Sequence, residues 1–346
     1  MKRANRTDVA RLAGVSAAVV SYVINNGPRP VASATKSRVI AAMAELNYRP
    51  NANARALKLA RTGVIGLLIR DITNPYFSEL AQKVQERAHQ SGYGLMIGNA
   101  GREGVEETAE FQNMLAREVD GIAVYGIRRP ETLAAISASG VKVVSLDWHL
   151  ESSVIPSVGI DDYGAGRDAV EHLLGHGYNE IGLIAARESQ DLREKAWTDA
   201  MAAAQDRSRL DQLREYSDFT LQGGYEAALK LIQQPDPPRA IFASSDVQAF
   251  GAIRAIQHLG LKIPDDVAVI SIDGTDASAF TYPSLTAVQL PFQKIADYIV
   301  DELTSAEAPL ARHVFSHTLA RRESCGCERS GLNPAHAEIS TPRDNP

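Results

Sequence analysis

The sequence predicts two folds in series: an N-terminal all-α helix-turn-helix head, then an α/β core of two doubly wound parallel-sheet lobes. Three observations carry this. Residues 7–25 show a cap, an apolar stripe, a glycine, a second cap and a second apolar stripe, in that order. From Gly63 onward, short apolar runs alternate with amphipathic segments in two successive series. The formal charge of −6 splits into +9 over residues 1–61 and −15 over the rest, a small basic head on a large acidic body.

In the head, Thr7 is placed to cap a first helix whose apolar face is Val9, Ala10, Leu12 and Ala13. Gly14 ends it where a left-handed turn costs least, Val15 plugs the corner, and Ser16 caps a second helix that turns Val19, Val20 and Val23 inward. A helix so placed is the one that enters a DNA major groove. The breaker cluster Asn26-Gly27-Pro28-Arg29-Pro30 follows. Ser33 then opens a third helix to Leu46, with Val39, Ile40, Met43 and Leu46 facing the core. Residues 51–59 are Ala-rich and helix-prone, yet too short to be helical alone in water.

In the core, Val64–Ile69, Leu95–Ile97, Gly121–Tyr125 and Val141–Leu146 read as buried parallel strands, with helices such as Phe77–His89 and Ala109–Ala116 between them. The second series has strands Ile181–Ala185, Ala240–Ala243 and Val267–Ile272. Its helices include Asp168–Leu174, Glu194–Ala204, Gly224–Ile232 and Gln248–Leu259. Two such sets imply two similar lobes with a cleft between them. From Glu328 the chain is polar and aperiodic, the composition of a disordered tail.

The run Thr7–Leu59, followed by Thr62-Gly63-Val64-Ile65-Gly66-Leu67-Leu68-Ile69, resembles the lactose-repressor (LacI/GalR) family of bacterial transcription regulators. The similarity extends to Arg321-Arg322-Glu323-Ser324. The resemblance implies a head over 1–49, a hinge helix over 50–61 and a periplasmic-binding-protein-like core over 62–327. Lobe 1 would take about 62–159 plus 291–318, and lobe 2 about 160–290 plus 319–327, with crossovers near Val158–Asp161, Leu290 and Thr318; residues 328–346 form the tail. It implies major-groove contacts from Ser16, Ala17, Ala18, Ser21, Tyr22 and Asn25. Two alanines offer only methyl contact, and Tyr22 stands where many members carry Arg. The hinge residues Asn51, Ala54, Arg55 and Leu57 would reach the minor groove, with Leu57 as the wedge that kinks the duplex. Lys2, Arg3, Arg11, Arg29, Lys36, Arg38, Arg49 and Arg55 are the phosphate neutralisers this reading supplies.

For the effector cleft, the resemblance points to Asp71, Asn74, Tyr76 and Phe77 after the first strand, Asp147 and Trp148 after the fourth, then Arg193, Phe219, Ser245, Asp246, Asp273 and Leu290. This chain has Ser245-Asp246, Asp273-Gly274 and Gln289-Leu290-Pro291 where the family often shows Asn-Asp, Asp-Asp or Asp-Asn, and Arg-Gln-Pro. Each change shortens or removes a polar side chain, so the cleft is expected to suit a less hydroxylated or more apolar effector, with a sugar as the default. The partners implied are a near-palindromic operator in duplex DNA, that effector, and a second copy of the chain.

Other classes fare worse. A transport solute-binding protein shares the core, but it needs a secretory signal and no basic head. The basic residues 1–6 lead into no apolar run, and no stretch of about 18 apolar residues exists, so a cytoplasmic protein is expected. A Rossmann-type enzyme needs glycines that Arg70-Asp71-Ile72-Thr73-Asn74-Pro75 lacks, and Gly164-Ala165-Gly166 lacks the third glycine. His172 and His176 stand four apart on one helical face with no third ligand near in sequence. Cys325 and Cys327 fall at a frayed end, too isolated for zinc. No cofactor and no metal are therefore expected.

Overall fold

The computed structural model describes residues 4–25, 27, 29–49, 61–146, 155–187, 191–204, 209–305 and 312–327. The chain divides into two compact units, residues 1–62 and residues 63 onward.

The first unit holds α1 (Arg6–Ala13), α2 (Ala17–Asn25) and α3 (Ser33–Glu45). Asn5, not Thr7, caps α1: its side chain accepts from the Thr7 and Asp8 amides, while the Asp8 carboxylate accepts from the Asn5 amide. This reciprocal box satisfies more orphan donors than a single hydroxyl could. Gly14 closes the helix at φ 64°, and Ser16 Oγ accepts from the Val19 amide at 3.3 Å. Val9, Ala10, Ala13, Val20, Val39 and Ala42 form the small core. Leu12 and Ile40, expected inside, are 46% and 52% exposed. Each stands one position from a buried residue, Ala13 or Val39, and is therefore turned about 100° round its helix from the packed stripe.

The second unit contains two six-stranded sheets of matching order. The strands are β1 (Val64–Ile69), β2 (Gly94–Asn99), β3 (Gly121–Val124), β4 (Lys142–Ser145), β5 (Ser157–Ile160), β6 (Ile181–Ala186), β7 (Arg214–Ser217), β8 (Ala240–Ala243), β9 (Ala268–Asp273), β10 (Thr286–Gln289), β11 (Arg312–Phe315) and β12 (Thr318–Ala320). One sheet runs β11-β5-β4-β3-β1-β2 and the other β12-β10-β9-β8-β6-β7. All neighbours are parallel except β12, which runs antiparallel to β10. The helices are α4 (Pro75–Gln90), α5 (Glu107–Ala116), α6 (Pro130–Ser139), α7 (Asp162–Gly175), α8 (Leu192–Ala204), α9 (Leu221–Ile232), α10 (Asp246–His258) and α11 (Phe292–Thr304).

Strand alternation sends side chains to both faces, and both are covered. In the first sheet, Ile65, Leu67 and Ile69 join Leu80, Val84 and the α11 residues Ile295 and Ile299, whereas Leu68, Ile122 and Val124 join Phe111, Met114 and Ile136. In the second, Leu183, Phe242 and Ile270 share the first cluster with Trp197, and Ile184, Ile241 and Val269 pack on α9 and α10. The first cluster thus continues through facing layers of both lobes.

The chain passes between sheets after β5, after β10 and between β11 and β12. The last passage corrects a reading of the sequence. Cys325 and Cys327 are buried, not frayed, at 0% and 5% exposure, and they lie against His172 and His176. The short turn Glu323–Cys325 is tied down there: Ser324 Oγ donates to the Val269 carbonyl (2.7 Å), and Glu323 Oε2 accepts from the Ser284 amide (2.7 Å). The expected tail, 328–346, lies outside the described residues. Among the described residues no single helix is long and apolar enough to cross a membrane.

Candidate functional site

A cavity of about 560 Å³ opens where strands of both sheets end. That is where parallel α/β sheets present backbone and loop groups to ligands, and the volume lies in the range of small-molecule sites. Asp71, Asn74, Tyr76, Phe77, Arg193, Phe219, Ser245, Asp273 and Leu290 all line it. Asp147 and Trp148 lie outside the described residues.

Asp246 does not line the cavity. Its buried carboxylate accepts from Ser271 Oγ (2.6 Å), Thr275 Oγ1 (2.6 Å) and the Thr275 amide (2.7 Å). Those donors fix the β9–β10 connection, which makes Asp246 a brace behind the wall. Asn74 has a double duty: it caps α4, its Oδ1 accepting from the Tyr76 amide at 3.0 Å, with Pro75 at the first helical position. Ser245 likewise caps α10.

Arg193 is the electrostatic centre. Its Nε donates to Asp162 Oδ1 at 2.8 Å, and Nη1 donates to the Ser244 carbonyl. Burial alone would weaken its charge, but Asp162, Asp273 and Asp191 around it hold the guanidinium protonated. Asp273 is buried, which pushes its carboxyl well above the usual range, and the Asp246 charge pushes it further. It accepts from the Asp246 amide at 3.2 Å. Asp191 is also raised by burial, and its Oδ2 has no partner among the described residues. A buried acceptor of that kind gains most from a ligand hydroxyl.

The departure at Gly274 has a steric reason. Its φ is 62°, and a Cβ there would lie 2.5 Å from Gln289 Cα, so neither Asp nor Asn fits. Asp273 before it has φ 117°, an uncommon left-handed value for a residue with a side chain. One wall is aromatic: Tyr76, Phe77 and Tyr125 pack edge to face with centroids 4.7–5.8 Å apart, and Phe292 backs Tyr76, tilted, at 5.5 Å. Arg70 lies over the Tyr125 ring at 5.0 Å.

The sequence reading missed Arg70, Tyr125, Asp162 and Asp191, all of which line the cavity. Arg70 and Tyr125 directly follow β1 and β3, so the strand-end rule that picks Asp71 would have found them. These groups add polar side chains to the cavity wall. Arginines 70, 102, 128, 187 and 193 line it together with Asp71, Glu103, Asp162, Asp191, Asp218 and Asp273. Arg102 Nε donates to Asp71 Oδ2 at 2.6 Å, and Arg187 lies 3.8 Å from Asp218.

In the head, Ser16, just before α2, and Ala18 on it are exposed, Ala17 is half-buried on the head core, and Ser21 and Tyr22 are half-buried. Tyr22 packs beside Gly27, whose amide donates to the Tyr22 carbonyl at 3.0 Å. Asn25 is the last residue of α2; its side chain lies outside the described residues, as do Lys2, Arg3, Asn51, Ala54, Arg55 and Leu57. Arg11, Arg29, Lys36, Arg38 and Arg49 are exposed. The Arg11–Asp8 bridge (2.7 Å) is a surface pair that costs little to exchange for a phosphate.

A helix-turn-helix head and a two-lobed α/β core with a ligand-sized cleft define a DNA-binding transcriptional regulator rather than an enzyme. The model of bacterial regulatory proteins of the lacI family matches residues 7–51, and that of the periplasmic binding protein-like domain matches 170–325. The chain belongs to the LacI family. It is 33% identical to the HTH-type transcriptional repressor PurR of Photobacterium profundum, over 86% of this chain and 90% of that one. A Lac repressor dimer bound to operator and the anti-inducer ONPF is 27% identical, with a TM-score of 0.77, covering 94% of this chain and 99% of the other. The transcriptional regulator CelR in complex with cellobiose is 27% identical with a TM-score of 0.67, over 93% and 100%.

Proposed function

We propose that this repressor works as a cytoplasmic homodimer on a near-palindromic operator and that a neutral, hydroxyl-rich small molecule of the sugar class, bound in the lobe cleft, sets its operator affinity. The observation that carries the effector class is the cavity's charge balance. Asp71, Asp218 and Asp162 are already paired with Arg102, Arg187 and Arg193, so an ionic ligand would break pairs, whereas hydroxyls insert between them as both donor and acceptor. The aromatic wall suits the apolar face of a ring. The cellobiose complex of CelR supports this reading.

Ser16, Ala18 and Tyr22 would read the major groove while the basic residues of the head neutralise phosphates, giving affinity that falls steeply with salt. Leu57 would wedge the minor groove when two copies of 50–61 pair. Leu57→Ala should then weaken operator binding far more than binding to random duplex. Effector binding would shift the lobes' orientation and so the pairing, with coupling of about 1–3 kcal/mol.

The test is footprinting on the DNA upstream of the protein's own gene, followed by operator binding titrated with sugars, polyols and nucleosides. Protection that one of the neutral polyols changes tenfold or more supports the reading. A response confined to phosphorylated or carboxylated ligands overturns the effector class. An unprotected promoter with no enrichment elsewhere in the genome overturns the operator assignment.

A further inference from the structure

His172 on α7, His176 capping its C-terminal end and two cysteines some 150 residues later meet at one point. His172 Nε2 lies 3.3 Å from Cys325 Sγ and 3.4 Å from Cys327 Sγ. His176 Nε2 lies 3.4 Å from Cys327 Sγ, and the sulfurs are 3.2 Å apart. All four atoms fall within 4.8 Å of one another.

A tetrahedral zinc ion with bonds of about 2.3 Å to sulfur and 2.0–2.1 Å to nitrogen spaces its ligands about 3.5 Å apart for S···N and about 3.8 Å for S···S. The three S···N separations of 3.3–3.4 Å match the first closely, the S···S separation of 3.2 Å is about 0.6 Å short of the second, and the widest pair, within 4.8 Å, would close on metal binding. A disulfide, at about 2.05 Å, would leave the histidines no reason to approach both sulfurs. We propose that His172, His176, Cys325 and Cys327 form a structural zinc site.

The surroundings are built for it. Gly326, at φ 89°, reverses the chain so that both sulfurs face one point. Thr286 Oγ1 lies 3.0 Å from Cys325 Sγ, placed to donate to a thiolate. The cysteines are buried and the histidines half-buried. Four protein ligands fill the coordination sphere, so the ion is structural and staples the Glu323–Cys325 turn to α7. Soft thiolate with imidazole in a tetrahedral set selects zinc over magnesium or calcium. This replaces the expectation of no metal.

The test uses the full chain, purified without chelator or histidine tag. Elemental analysis should find one zinc per chain, and cobalt(II) exchanged for zinc should show the intense visible bands of a tetrahedral thiolate site. Stripping with a strong chelator should lower the wild-type Tm by several degrees, and zinc alone should restore it. C325S/C327S should lose both zinc and cobalt bands. Should that variant not fold, His176→Gln, at the half-exposed edge, should fold, lose the tetrahedral bands and show no chelator effect on Tm. Metal-free protein with only weak octahedral cobalt bands, copper or iron in place of zinc, or a Cys325–Cys327 disulfide in zinc-replete protein would overturn the proposal.

Discussion

The two ends of α7 serve different purposes with the same economy. At its N-terminus Asp162 enters the cleft and holds Arg193; at its C-terminus His172 and His176 meet two cysteines. A helix of 14 residues separates them by about 21 Å. The cleft end is charged, partly strained and left with an unsatisfied acceptor, as a site that awaits a ligand should be. The other end is closed on itself. One helix can therefore carry a responsive site and a fixed one.

The largest effect should come from Arg193→Ala. It leaves Asp162 and Asp273 without their counter-charge, which should cost about 3 kcal/mol or more in urea unfolding and abolish the response to effector. DNA binding by the head should survive wherever the protein folds. Gly274→Ala should follow, at about 2 kcal/mol, since it adds a left-handed penalty to a collision with Gln289 Cα. Thermal melting measures it.

The pair Asp246 and Asp273 makes a pH prediction. Burial raises both in the folded protein, so between their ordinary and raised values the folded state holds more protons than the unfolded one. Stability is then greatest at low pH within that window and falls as pH rises through it. Asp273→Asn should raise the urea midpoint at neutral pH and flatten that slope while weakening effector binding. A steeper slope in the variant would show that Asp273 is not the group responsible. Phe219→Ala should have a smaller effect, weakening effector binding by about tenfold at most. Finally, His176→Gln should leave effector affinity within twofold; a larger change, read by calorimetry, would mean that the two ends of α7 are coupled.

Much of this was legible in the residues. Central strands such as Val64–Ile69 and Ala240–Ala243 are continuous apolar runs because both their faces are covered. Edge strands β7 and β11 are short and polar, with exposed positions, and gave no such signal. Asp71 and Asp273 were recognisable because they stand at strand ends. Asp246 shared that address, but the donors of Ser271 and Thr275 turn it inward, which depends on a turn conformation that periodicity does not encode. The His–Cys cluster was hidden for a plainer reason. Its halves are far apart in sequence, and only the return of the chain from β12 brings them together.

That return has a consequence for how the protein is made. Lobe 1 needs α11 to cover its first sheet and β11 to complete it, yet both are synthesised after nearly all of lobe 2. At about 5–20 residues per second, the first lobe waits on the ribosome with an uncovered apolar face until the second has emerged. A nascent chain halted anywhere before residue 315 therefore leaves both lobes unfinished.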